Sequence, residues 1–336
     1  MMNRRTRRTL WVVAAVLILL AVAVFLRSKA PPEAARLLPE SDGIVYINFK
    51  TVRAFTHFKD LKPPQRVPEY QQFIDATGVD WEQHLDEAAI ALHRMPDPNG
   101  PNGPVAYSMV LVGKLTGQKL NAWLGSHAVS REAYAGNTIY SIPSEGRTVR
   151  VAQIGYDMLA ISNTPTPEQI HSMLDRHRTA ALPFAGSTLL SRHFHEVPLL
   201  SLAWGVGQIG LPFSESGAIK ILGFTLPLEA DSTIVASLGW TGSVRIEEIA
   251  PTDEVAASQE AALTSLLALA GNFTAPLAGN AANNALKELL KTAEVSRLRN
   301  RVVVKATLSP SLFGGLTKNE NLPANSASQP DAAASK

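Results

Sequence analysis

The chain contains no cysteine. That absence excludes disulfides, thiolate nucleophiles, cysteine-held zinc, iron–sulfur clusters and a lipid anchor carried on cysteine. Charge is also scarce. Asp, Glu, Lys and Arg supply 18% of the residues, below the usual quarter, and the net charge is +2. Arg4, Arg5, Arg7 and Arg8 alone outweigh that net charge, so the remainder is slightly acidic. No basic stripe exists for nucleic acid, and none is expected to bind. The serine-hydrolase elbow G-x-S-x-G, the zinc-protease H-E-x-x-H and the phosphate loop G-x-x-x-x-G-K-[ST] do not occur.

One long uncharged run is present, Leu10 to Leu26, preceded by the four arginines and followed by Arg27 and Lys29. At ~1.5 Å per residue it reaches about 25 Å as a helix, the lower end of a membrane span. Positive charge on its N-terminal side keeps that side in the cytoplasm and sends the rest outward. Ser28 and Ala30 suit a signal-peptidase cut, but Pro31 would follow it, so we expect an uncleaved signal anchor. Residues 6–11, TRRTLW, also loosely resemble a twin-arginine export signal.

The expected organisation is a basic cytoplasmic tail (1–9), a transmembrane anchor (10–26), a linker (27–36), two halves (37–178 and 179–315) and a disordered tail (316–336) whose composition is nearly devoid of apolar side chains. Strands are expected at 43–50, 88–94, 105–115, 137–143, 147–154 and 156–162. In the second half they are expected around LLSLAWGV and at 231–240, 243–250 and 301–308. Thr241-Gly242 reads as a two-residue hairpin turn. Helices are expected at 68–78 with Gly78 as the stop, at 117–129, at 164–178, from Thr252 to Gly271, and at 283–295. In the third of these, Thr166 caps, Pro167 opens the helix, Gln169 completes a capping box, and Ile170, Met173 and Leu174 form the buried stripe. Hairpins followed by helices, without regular β-α-β alternation, predict an α+β fold of antiparallel sheet with helices on one face, in two similar halves.

Two motifs invite chemistry. Gly205, Gly207 and Gly210 match the dinucleotide pattern G-x-G-x-x-G. The stretch after the third glycine, LPFSESGAIKILGFTLPLEAD, is too rich in glycine and proline for the required crossover helix, so the glycines read as close backbone packing and no nucleotide or other cofactor is expected. In SRHFHEVP, a strand would turn His193 and His195 to one face, where neutral imidazoles would share a zinc or copper ion with a third ligand from elsewhere. His171 and His177 read as solvent-facing, and Asp80, Glu82, Asp86 and Glu87 as carboxylates around a helix start.

Pro39, Asp42 and Tyr46 in LLPESDGIVYINFKTVR, with Tyr134, Gly136 and Tyr140 further on, resemble uncharacterised bacterial families of signal-anchored extracytoplasmic proteins. The resemblance implies α+β architecture outside the cytoplasm and brings no functional residues. Anchor, large globular part and missing catalytic motif lead us to expect a single-pass inner-membrane protein with a periplasmic domain. Its expected role is non-enzymatic, the binding of an envelope protein, lipid or cell-wall component. A metal-dependent role for His193 and His195 is the alternative.

Overall fold

The architecture is taken from a computed structural model that describes residue 13 and residues 30–55, 66–100, 103–179, 186–208, 218–221, 224–227, 231–272 and 289–308. The expected anchor, except residue 13, and the expected tails lie outside them. Among the described residues no helix is long and apolar enough to cross a membrane.

Fourteen described strands build the fold, twelve of them in one antiparallel sheet. The strands are β1 (Gly43–Asn48), β2 (Leu85–Arg94), β3 (Val105–Gly113), β4 (Ser130–Tyr134), β5 (Asn137–Ser144), β6 (Arg147–Ile154), β7 (Met158–Ser162), β8 (Ser201–Gln208), β9 (Ala218–Ile221), β10 (Phe224–Pro227), β11 (Thr233–Gly239), β12 (Ser243–Ile249), β13 (Glu294–Leu298) and β14 (Arg301–Thr307). Their order is β13-β14-β12-β11-β8-β1-β2-β3-β7-β6-β5-β4, with β9 and β10 forming a separate hairpin. The expected halves therefore meet at β1 and β8, where Tyr46 stands opposite Trp204. Outward from that seam the first half runs β1-β2-β3-β7 and the second β8-β11-β12-β14. The second half repeats the first: a hairpin follows the central strand, and a later strand returns beside the hairpin's second member.

The helices are α1 (Glu33–Leu37), α2 (Phe49–Phe55), α3 (Pro68–Thr77), α4 (Trp81–His84), α5 (Gln118–His127), α6 (Glu168–Arg178), α7 (Thr188–His193), continued by a 3₁₀ turn (Phe194–Glu196), and α8 (Asp253–Asn272). They occupy both faces of the sheet, not one. On one face α1, α6 and α7 bury Ala34, Ala35, Leu37, Leu38, Ile170, Met173, Leu174, Leu189 and Leu190 against Ile44, Tyr46, Ala89, Val110, Ala160 and Trp204. On the other, Leu120 and Leu124 of α5 and Phe73 of α3 pack on Leu111, Val151 and Leu159, while α8 sets Val255, Ala256 and Leu263 on Val295 and Val302. Alternation along each strand explains this: β2, β3, β6 and β7 are apolar at successive positions, so both faces need cover.

Several local expectations are corrected. The linker ends in a core helix. Pro32 at the N-cap starts α1, and its alanines let the backbone approach β2 and β3 closely. Thr166 does not cap α6. Pro167 holds the N-cap position without a side-chain bond, and the Thr166 carbonyl instead accepts from Thr164. The β11–β12 connection has three residues, Trp240 to Gly242, closed by the Gly242 N–H donating to the Gly239 carbonyl at 3.1 Å. Residues 289–291 are helical, but Glu294 already begins β13, so the helix expected to 295 stops short. Thr252 does cap α8, its hydroxyl accepting from Val255 N–H at 3.3 Å, and Gly78 ends α3 at φ 72°.

Candidate functional site

On the face sealed by α1, α6 and α7, Val206, Val235, Ile249 and Val303 of the second half stay apolar, but toward the β11–β12 tip the inward positions turn polar. Ser237 of β11, Arg245 of β12, Lys305 of β14 and Glu294 of β13 stand in register across four strands. They line a groove of about 470 Å³. The β11–β12 hairpin tip forms one wall and carries Trp240, 56% exposed. Gly242 shapes that tip. Its φ is 80°, a Cβ there would meet the Leu308 carbonyl at 2.5 Å, and Leu308 N–H donates back to the Gly242 carbonyl at 2.8 Å, which ties the tip to the end of β14. Opposite, the segment entering β8 supplies Leu199 and leaves Leu200 76% exposed at φ 66°, a left-handed conformation uncommon for a bulky side chain.

Behind the groove lies a chain of ion pairs. Arg245 bonds Glu247 at 2.6 Å, Glu247 accepts from Arg301 at 2.8 Å, and Arg301 grips both oxygens of Glu196 at 2.7 Å each. Glu247 is almost wholly buried between its two arginines. The Arg301 fork holds the Glu196 carboxyl below the usual range. A buried carboxylate bridging two arginines fixes their heads and so presents Arg245 to the groove in one position.

His193 and His195 reach this region by a different geometry from the expected strand. Ser187 caps α7 by accepting from Leu190 N–H at 3.2 Å, and the carboxylate of Glu40 accepts from Thr188 N–H, so residues 188–196 turn helically. His193 ends α7, where burial holds its ring below the ordinary histidine value. His195 sits in the 3₁₀ turn, exposed, 3.1 Å from Glu196. Two residues apart on a helical path, they do not share a face. Among the described residues no group of three or more His, Asp or Glu side chains is placed to hold a metal ion.

Gly205 and Gly207 lie inside β8, paired to β1 on one side and β11 on the other; Gly210 is outside the described residues. His171 is not solvent-facing: it stacks on Tyr134 at 3.8 Å and pairs with Glu132. The acidic cluster does surround a helix start, since Asp80 caps α4 and Arg66 bridges Asp80 and Glu82, while Arg53 holds Asp86. A separate buried chain of hydroxyls runs from His93 through Ser108 (2.9 Å) and Ser162 (3.3 Å) to Thr164 (2.9 Å). It lies in the packed first half.

No known family model matches the chain, and no curated protein matches it. Solved structures similar to it include three crystal forms of a protein named TP0453. Form III has 11% identity and a TM-score of 0.45, covering 86% of this chain and 99% of that one. Form IV has the same identity and score over 87% and 99%, and form I has 10% and 0.42 over 86% and 98%.

Proposed function

We propose that the chain is a membrane-tethered extracytoplasmic binding protein without a catalytic centre, and that its partner sits in the groove beside Trp240. The observation that carries this reading is the groove itself. The strand pattern that seals the first half is interrupted here by charged and hydroxyl side chains, between an exposed tryptophan and exposed leucines. The arginine-flanked run at 10–26 supports the tether and the outward direction of the domain.

A photo-crosslinking residue at position 240 of the full chain in intact cells tests the reading, with position 156 as control. Tyr156 is 95% exposed on the β6–β7 turn of the other half. The expected result is an adduct, protein or glycan, specific to position 240. Identical products from both positions, or none from 240, would refute it. The natural absence of cysteine allows a single cysteine at 156 to report the compartment, by labelling with a membrane-impermeant maleimide once the outer barrier is opened and the cytoplasmic membrane is intact.

A further inference from the structure

We infer that the groove recognises a saccharide bearing a carboxylate; the inference rests on the binding reading above and names the ligand's chemistry. Strands β11, β12 and β14 are each paired on both sides, so the groove floor offers side chains and no free backbone edge. An extended peptide has no strand to pair with on that floor; the outer edge of β13 lies at the end of the groove, and tetraglutamate is the control for it. The side chains on offer suit a polyhydroxylated ring. Ser237, Ser243 and Thr307 bring hydroxyls, which both donate and accept. The exposed indole of Trp240 supplies a flat apolar face with a polar edge, the shape that packs on the C–H face of a pyranose.

Charge selects the substituent. Arg245 and Lys305 are directly opposite each other across β12 and β14, on the groove face. Like charges opposed in a sheet repel, and an anion between them relieves the repulsion. Arg245 is already oriented by Glu247, while Lys305 makes no ion pair among the described residues. Glu294, opposite Lys305 on β13, and Glu247 on Arg245 balance the two cations in number, so selection rests on position: Arg245 and Lys305 lie on the groove face, and Glu294 adds an acceptor for sugar hydroxyls at the outer end. A ring carboxylate on Arg245 and Lys305 and a ring face on Trp240 fill a groove of this volume, which is in the range of small-ligand clefts.

The test is calorimetric titration of the full chain in detergent micelles with three probes: a tetrasaccharide of alternating glucuronic acid and N-acetylglucosamine, neutral tetra-N-acetylglucosamine, and tetraglutamate. The acidic tetrasaccharide should bind, the neutral one about tenfold more weakly, and Trp240→Ala and Lys305→Gln should each weaken the acidic one about tenfold. Both substitutions are at exposed positions, and an unchanged melting temperature shows that the variants are folded. Tetraglutamate binding as tightly as the sugar, no saccharide binding, or binding that ignores both substitutions overturns the inference. If saccharides fail while position 240 still yields a specific protein adduct, the binding reading stands and only its ligand class falls.

Discussion

In the first half of the sheet, β3 and β7 turn Val110, Val112, Met158 and Ala160 toward α1 and α6, and both faces are closed by helices. In the second half, the equivalent strands β12 and β14 turn Arg245, Glu247, Arg301 and Lys305 to that same face, and the helices of that face pack on the first half and the seam. Connectivity is shared, so strand order does not separate structure from function here. The inward residues do. Apolar positions draw a helix over themselves because leaving them wet costs roughly 25 cal/mol per Å². Charged positions repel such a cover and leave a face that only a hydrated or polar partner can occupy.

The sharpest way to break this contrast is to weaken the sealed half. Leu38, just after α1, is fully buried, and Leu38→Ala should cost about 3 kcal/mol in denaturant unfolding. A loss under ~1 kcal/mol would mean that α1 is a loose linker after all. The second half should yield to a charge change. Arg301→Met removes one of the two arginines on buried Glu247 and both bonds to Glu196. Because Arg301 is about one-third exposed, we expect about 2 kcal/mol, below the ~3–5 kcal/mol of a fully buried pair. A double-mutant cycle with Glu196→Gln should show about 1 kcal/mol of coupling, and additivity would dismiss the network.

The longer strands of both halves were legible, among them β8, β11, β12 and β14 in the second. Apolar and β-branched runs bounded by turn residues announced β2, β3, β5, β6 and β7, and the i, i+3, i+4 stripe of Ile170, Met173 and Leu174 announced α6. Short elements were hidden. In α1, EAARL spans little more than one turn, too few residues to show a helical period, and its burial comes wholly from the sheet beneath. β4 and β13 are edge strands with mostly exposed, polar residues, so their partners define them and their pattern does not. The site was harder still. His193 and His195 drew attention because they are adjacent in sequence. The groove joins residues from 198 to 307 that only strand pairing brings together. One signal was available: in SVRIEEI, Glu247 and Glu248 are consecutive, so one must point to each face, and a strand with an inward carboxylate needs an arginine opposite or near.

A smaller effect distinguishes the halves by pH. Burial holds His93 in the first half, and His193 in the second, below the ordinary histidine value of 6.5; for His93 nearby Asp42 and the Glu40 carbonyl oppose the shift without cancelling it. Above 6.5 both rings are neutral whether the chain is folded or not, and stability is complete. As pH falls below 6.5, the unfolded chain takes up protons that the folded one refuses, and stability declines until the folded values are reached. Glu196 acts lower: with its folded value below 4.5, its contribution persists above 4.5 and vanishes as pH falls through that lower value. Burial raises Glu87 and so works in the opposite sense, but it is common to every variant compared. Between pH 7.5 and 5.5, His93→Gln should flatten the fall in melting temperature more than His193→Gln, because His93 is the more deeply buried. Equal slopes would show that the first half is no better sealed at that point than the second.

The least effect on stability should come from the residue that matters most for binding. Trp240 stands at a hairpin tip whose geometry is set by Gly242 and by the backbone bond from Leu308, not by the indole. Its face is more than half exposed, so Trp240→Ala should change unfolding free energy by no more than ~0.5 kcal/mol. Trp204, stacked on Tyr46 and edge-on to Phe194 with ring centroids 5.4 Å from each, is the matched control, and Trp204→Ala should cost ~3 kcal/mol or more. A more than half-exposed indole at the mouth of a charged groove is placed to meet a ligand, whatever it contributes to the tip itself. If Trp240→Ala destabilised the fold as Trp204→Ala does, the hairpin tip would belong to the core, and the division between a sealed half and a binding half would fail at its most exposed residue.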